Sequence, residues 1–322
     1  MQRKLHLWAL ALLCVFSVTF VSSCDDDDDP SDNGVIEYFR NSTDLTTHRD
    51  ALDEADLIAN IRLFNASTTF FAPTNGAYQA FLDINNFDDL EDVPALALEG
   101  TLRGHILDDD EKRGADFANP GYYKTINDRG DFATDVFVTT TNGTVRVNGQ
   151  ANVIRADQDT EDGTVHTIDA VLGLPTLLTF ANADPRFSTL VAAIDRADAD
   201  GSISALLAGA TPTSPITIFA PTNAAFQAFL DGDEDDDFDD LDDISDEMLA
   251  GILRNHVLST EVRAESITNS TTANPVGGGT LSFNVSGANP RITAANSTAN
   301  IIILNVTAIN GTIHAIDQLL LP

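Results

Sequence analysis

Apolar residues are spaced along this chain in two ways, and each way occurs twice. Thr69 to Ala72 and Ile216 to Ala220 are short β-branched and aromatic runs, as a buried strand requires. Pro73 and Pro221 end the runs, and Thr74-Asn75 or Thr222-Asn223 then offers a side-chain oxygen to cap a helix N-terminus. Past each cap, Tyr78, Phe81 and Leu82, or Phe226, Phe229 and Leu230, fall at i, i+3 and i+4, which predicts one apolar helical stripe. Upstream, Phe187, Leu190, Val191 and Ile194 keep the same spacing, and Leu45, Leu52 and Ala55 carry a weaker stripe in the first copy. Later in each copy the period drops to two. Val136-Phe137-Val138 leads through Asn142-Gly143 into Val145-Arg146-Val147, and Asn-Gly between alternating runs predicts a tight hairpin. Asn148-Gly149 turns toward Val153-Ile154, and a last strand carries Val165 and Ile168. In the second copy Leu281-Phe283-Val285 alternates, Ile301 to Val306 follows, and Asn310-Gly311 turns into a closing strand.

The duplication is literal in places. TFFAPTNGAYQAFL (69–82) matches TIFAPTNAAFQAFL (217–230), and GTVHTIDAVLGLP (163–175) matches GTIHAIDQLLLP (311–322). Between them LRGHIL (102–107) matches LRNHVL (253–258). The repeating unit, roughly 140 residues, is domain-sized rather than solenoid-sized. Helices early and hairpins late predict an α+β domain, or a β-sandwich with a helical flank. The expected domains are residues 35–175 and 176–322.

The Thr-Phe-Phe-Ala-Pro-Thr-Asn block, the mid-domain histidine and the closing Gly-Thr-Val/Ile-His-x-Ile-Asp block resemble the fasciclin-type (FAS1) domain, twice over residues 35–322. The resemblance implies two tandem α+β domains, each a β-sandwich or wedge with flanking α-helices. It also implies extracellular adhesion or matrix roles without catalysis, with Thr74, Asn75, Thr222 and Asn223 helping to lock the opening block against the closing one.

The N-terminus has a different character. Arg3 and Lys4 precede an apolar stretch from Leu5 to Val21 and then Ser22-Ser23-Cys24, the parts of an export signal over residues 1–23. Val21-Ser22-Ser23-Cys24 is similar to the lipobox of bacterial lipoproteins, which implies a lipid on Cys24 and attachment to a membrane. Asp25 to Asp29 and Pro30-Ser31-Asp32-Asn33-Gly34 complete an acidic, self-repelling tether over residues 24–34. An acidic run behind the lipidated cysteine looks like the surface-export signal of some outer-membrane lipoproteins, which implies an envelope protein facing outward.

Charge removes whole classes of partner. The chain has 50 acidic against 17 basic residues and a formal net charge of −33, a field that repels nucleic acid and anionic lipid headgroups alike. The only cysteines are Cys14 and Cys24, so no disulfide framework holds the domains.

Candidate chemistry is sparse. His105 and His256 match between copies, as do His166 and His314, and repeated imidazoles suit metal or proton chemistry. They lie in apolar patterns without ligands at metal spacing, so a structural role is expected, donating to backbone or to nearby Asp169 and Asp317. Asp231 to Asp243 is densely acidic and makes Asp233, Asp235 and Asp237 weak calcium candidates. The run lacks the glycine and the closing glutamate of a calcium loop, so a solvated loop is expected. Arg129-Gly130-Asp131 spells an integrin tripeptide by apparent chance, and Asn142 and Asn305 head Asn-x-Thr triplets read as turn and strand composition. No nucleophile elbow, phosphate loop, zinc-protease or dinucleotide motif appears. The sequence thus leads to a non-enzymatic surface adhesion or interaction protein without a cofactor, whose partner is an extracellular protein or polysaccharide. The alternative is a small-ligand or carbohydrate-binding envelope lipoprotein.

Overall fold

The first domain runs α1 (Val35–Asn41), α2 (Thr46–Glu54), α3 (Ile58–Ile61), β1 (Thr68–Pro73), α4 (Asn75–Asn85) and α5 (Ala95–Arg103). Six strands follow: β2 (Ile106–Leu107), β3 (Gly121–Arg129), β4 (Phe132–Thr141), β5 (Thr144–Val147), β6 (Ala151–Thr160) and β7 (Gly163–Ile168). The second domain repeats the plan with α6 (Leu177–Ala183), α7 (Ser188–Ala197), α8 (Ser202–Gly209), β8 (Ile216–Pro221), α9 (Asn223–Leu230) and α10 (Asp246–Asn255). It ends in β9 (Val257–Leu258), β10 (Thr272–Ala273), β11 (Leu281–Asn284), β12 (Arg291–Thr293), β13 (Thr298–Ala308) and β14 (Gly311–Ile316). This computed structural model describes residues 34–61, 67–107, 111–197, 201–232, 238, 240–285 and 290–322. The expected signal peptide, Cys24, the acidic tether up to Asn33, and Asp233, Asp235 and Asp237 lie outside the described residues.

At the centre of each domain the opening and closing blocks pair. β1 runs parallel to β7, and β8 runs parallel to β14. Every residue of these four strands is buried, because helices cover one face and the rest of the sheet the other. Alternation sorts the side chains: Phe70, Ala72 and Val165 enter the core under the helices, while Phe71 and Ile168 enter the one enclosed by the sheet. The second domain does the same with Ile218 and Ile313 on the helical side and Phe219 and Ile316 on the other. Each buried phenylalanine contributes about 1.5–3 kcal/mol relative to exposure.

The glycines opening the two closing strands are dictated by this pairing. A Cβ on Gly163, whose φ is +138°, would lie 2.0 Å from the Thr68 carbonyl oxygen; one on Gly311 would lie 2.3 Å from that of Ile216. Only glycine lets the backbones approach so closely.

Each domain therefore carries a seven-stranded sheet plus helices. In the first it closes into a barrel, because nine-residue β3 reaches β2 through Leu107 and Thr125. In the second, β10 spans two residues and pairs with β11 alone, so the sheet stays open in the order β10-β11-β12-β13-β14-β8-β9.

Residues 33–322 form one compact unit. β4 of the first domain packs on β13 of the second. Phe137 of β4 leaves its own domain's cores and joins the helical core of the second, with Leu177 and Phe180. The β13 sequence explains the contact. Ile303, Leu304, Val306 and Thr307 stand where β6, its counterpart, has Arg155, Ala156, Gln158 and Asp159.

Candidate functional site

The motif residues form one set of staples built twice. Thr74 Oγ1 accepts from Ala77 N–H at 3.1 Å and Thr222 Oγ1 from Ala225 N–H at 3.3 Å, capping α4 and α9. The neighbouring asparagines reach the helices before the opening strand. Asn75 Oδ1 accepts from Thr47 N–H and its Nδ2 donates to the Thr43 carbonyl; Asn223 does the same with Thr189 N–H and the Pro185 carbonyl. The Thr74 and Thr222 amides donate to the Ile168 and Ile316 carbonyls, so opening and closing blocks are bonded directly.

The four matched histidines occupy two kinds of place. His105 Nδ1 donates to the Thr101 carbonyl at 2.7 Å, and its Nε2 accepts from Leu172 N–H at 2.9 Å. His256 repeats this with the Ile252 carbonyl and Leu320 N–H. His166 takes the opposite tautomer, Nε2 donating to the Lys112 carbonyl and Nδ1 accepting from Asp157 N–H. His314 repeats that with the Val262 carbonyl and Asn305 N–H. Asp157 and Asn305, at φ +59° and +56°, are matching kinks that turn their N–H groups to the imidazoles. A ring nitrogen that accepts from a backbone N–H must be unprotonated, so all four rings are neutral and both nitrogens of each are spent. Burial pushes His105 and His256 down to about 4 and holds His166 and His314 below the ordinary range. No lone pair is left for a metal and no free proton for transfer. Among the described residues no cluster of His, Cys, Asp or Glu could hold a metal ion.

Asp169 and Asp317 do not serve the histidines. Asp169 accepts from the backbone and side-chain N–H groups of Asn152 at 2.7 and 2.8 Å, and Asp317 from those of Asn300 at 2.7 and 2.6 Å. The reason is geometric: a residue three beyond the histidine on an extended chain faces the other side.

Sequence comparison between copies leaves three groups of residues unflagged. His48 is buried, with Nδ1 2.7 Å from the Tyr78 hydroxyl, and has no counterpart in the second domain. The second group lines the domain seam. Arg129, with only 4% of its side chain exposed, donates from Nε to the Ala308 carbonyl at 2.8 Å and forks onto Glu261 at 3.1 and 2.5 Å. Glu261 also accepts from the Thr312 hydroxyl and lies 3.6 Å from Arg263, whose guanidinium covers the Phe132 ring at 3.7 Å. Burial pushes the Glu261 carboxyl up, but the bonds from Arg129 and Thr312 outweigh it and hold it below its ordinary value. Beside it, Asp135 accepts from Lys124 at 2.7 Å and from Thr307 N–H at 2.6 Å, and burial raises its carboxyl despite that lysine. Tyr122 stacks edge-on with Phe180 and donates to Asp184, which Arg186 clamps.

Of the integrin-like tripeptide, Arg129 falls in this seam, whereas Gly130 and Asp131 are exposed. Arg129 is consumed by Glu261 and the Ala308 carbonyl, so it is not offered at the surface.

The third group lines a cleft of about 310 Å³ between the Asn148-Gly149 turn and α6. Its walls carry amides and hydroxyls and no ionisable side chain.

These features define a double-domain module held by backbone staples, in which the recurring polar side chains serve the fold. The fasciclin domain matches residues 43–175 and 185–322, and the chain belongs to that family. It is similar to the transforming growth factor-beta-induced protein ig-h3 of Sus scrofa, 30% identical over 80% of this chain and 35% of that protein. Protein sll1483 of Synechocystis is 32% identical over 54% of this chain and 89% of its own length. Human periostin is 28% identical over 80% of this chain. The chain thus spans about a third of the length of the vertebrate relatives. A solved FAS1 domain pair from the insect cell adhesion molecule fasciclin I has the same fold, with a TM-score of 0.51 at 22% identity over 90% of this chain and 98% of that one.

Proposed function

We propose that this chain is a non-enzymatic adhesion or interaction protein, tethered through a lipid on Cys24 and displayed on the outside of the cell. The observation that carries the reading is the histidine chemistry. The repeated groups best suited to catalysis or metal binding are neutral, buried and saturated by backbone, which leaves surfaces and clefts as the working parts. Family membership supports it, and so does the origin of the fold-matched domain pair in a cell adhesion molecule. The lipid anchor rests on the Val21-Ser22-Ser23-Cys24 box and the charged tether behind it. No helix among the described residues is long and apolar enough to cross a membrane.

Fractionation and adherence test the two halves separately. Cys24→Ser moves the protein from the membrane to the soluble fraction, and its retention in the membrane would sink the anchor. Cells displaying the wild-type chain adhere to polysaccharide- or matrix-coated surfaces better than cells lacking it. Equal adherence on every coating would remove the adhesion role.

A further inference from the structure

We propose that the cleft between the Asn148-Gly149 turn and α6 binds a neutral, hydroxyl-rich ligand, one or two units of an uncharged glycan; this rests on the adhesion reading and names its ligand class. The chemistry of the walls selects the ligand. Asn148, Gln150 and Asn182 contribute primary amides, Thr176 and Thr179 hydroxyls, and Leu178, 40% exposed, an apolar rim. A primary amide both donates and accepts, as a sugar hydroxyl does, so the two match without any charge. The lining carries no charge, and the net charge of −33 disfavours anions at any surface of the chain, so a neutral ligand fits the cleft best.

Several of these groups are unspent. Asn148 is 2% exposed; its Oδ1 accepts from Phe137 N–H at 2.8 Å, while its Nδ2 is buried without a partner. Buried donors are seldom left so. Thr176 and Thr179 bond each other at 3.0 Å, which consumes one of their two hydroxyl protons and leaves the other. Gln150 and Asn182 are exposed, with side-chain amides that bond no described residue. The cleft of about 310 Å³ lies at the lower end of ligand pockets, roughly 300–1,000 Å³, and suits one or two sugar rings.

The frame is rigid. The turn backs onto Ala183 so closely that a Cβ on Gly149 would stand 3.3 Å from it, and Thr176 and Thr179 close a reciprocal cap on α6. In the second domain the residue matching Asn148 is Asn296, whose Nδ2 donates to the Pro322 carbonyl, so the orphaned amide belongs to the first copy alone.

The test is saturation-transfer NMR on the purified full chain, with short gluco-, manno-, galacto- and xylo-oligosaccharides as neutral probes and oligogalacturonate and a peptide mixture as comparators. At least one neutral probe binds, and Gln150→Ala with Asn182→Ala weakens it at least tenfold while the melting temperature holds, since both side chains are exposed. Gln150→Asn, which keeps the amide, loses less. Binding unchanged by the double variant, binding of oligogalacturonate or peptide alone, or no binding of any neutral probe would each overturn the proposal. Cell adherence separates this from the broader reading. Wild-type adherence without glycan binding defeats the cleft and leaves adhesion standing, whereas glycan binding without adherence does the reverse.

Discussion

Glu261→Gln is expected to destabilise the body more than any other single change at the seam. The substitution keeps size and shape but removes the charge facing Arg129, of whose side chain 4% is exposed, and Arg263 at 3.6 Å. Removing one partner of a buried pair costs about 3–5 kcal/mol, because the remaining charge is left uncompensated. Arg129 keeps its bond to the Ala308 carbonyl, and Glu261 is itself 14% exposed, so the lower end, about 3 kcal/mol, is expected. For a body of about 290 residues that is a fall of roughly 5 °C in melting temperature. Arg129→Met should cost less, since Glu261 would still hold Arg263 and the Thr312 hydroxyl. Arg129→Met with Glu261→Leu should recover most of the loss, as buried pairs replaced by apolar residues often do. Urea denaturation followed by far-ultraviolet circular dichroism at neutral pH, with calorimetry beside it, measures all four proteins. The glutamate's carboxyl is held below its ordinary range, so its contribution is full above about pH 4.3 and is lost as pH falls through the lowered value. A Glu261→Gln cost under about 1 kcal/mol, or an Arg129→Met cost equal to it, would refute the uncompensated-charge argument.

Three further outcomes are expected. The ring C–H resonances of His105 and His256 should stay flat from pH 8 to 5; with folded values of about 4 against 6.5 unfolded, each contributes stability that is full above pH 6.5 and falls by about 2 kcal/mol at pH 5, and titration of either ring near 6.5 would contradict its burial. Gly163→Ala and Gly311→Ala should each cost about 3 kcal/mol or more in urea denaturation, through collision with the Thr68 and Ile216 carbonyls, and a neutral result would show that the paired strands can part. Asp131→Glu should leave cell adhesion unchanged, because the Arg129 beside it is buried; a loss of adhesion would return the tripeptide to the surface.

Internal duplication made the staples legible. Thr74, Asn75, His105 and His166 stand out because Thr222, Asn223, His256 and His314 repeat them in the same order. A self-alignment identifies positions but not bonding partners: of the two partners open to the histidines, backbone or aspartate, the structure has backbone, and the aspartates bond asparagines instead. Their partners Asn152 and Asn300 lie across the sheet and are fixed by register, which depends on where the bulges of β6 and β13 fall. His48 escaped notice because no second histidine repeats it. The mixed α/β plan was visible in the switch from helical to strand period, whereas closure of the first sheet depended on β3, a strand whose Lys, Asn and Asp hide its alternation.

The seam was hard to see by self-comparison because most of its residues, Arg129 and Phe137 among them, have no counterpart in the other copy. Glu261 repeats Glu111, each accepting from a closing-strand threonine, and only in the second copy does the glutamate also hold Arg129. Exchanges of Arg155, Gln158 and Asp159 for Ile303, Val306 and Thr307 replace charged or polar side chains with apolar or uncharged ones, and of these Val306 and Thr307 are buried. The exchange also makes the contact directional. The first domain's corresponding face keeps Arg155 bonded to Asp44 and Arg113 paired with Asp159, so a β4-like strand docking there would bury both charged pairs. Burying such pairs costs several kcal/mol per ion before any return. The second domain, for its part, has no long β3 to present a counterpart of Arg129. Repeating this packing on the β6 face would therefore carry a desolvation cost that the β13 face does not. The β6 face stays charged, and the differences between the copies leave features that only one of them has, among them the uncharged cleft beside α6.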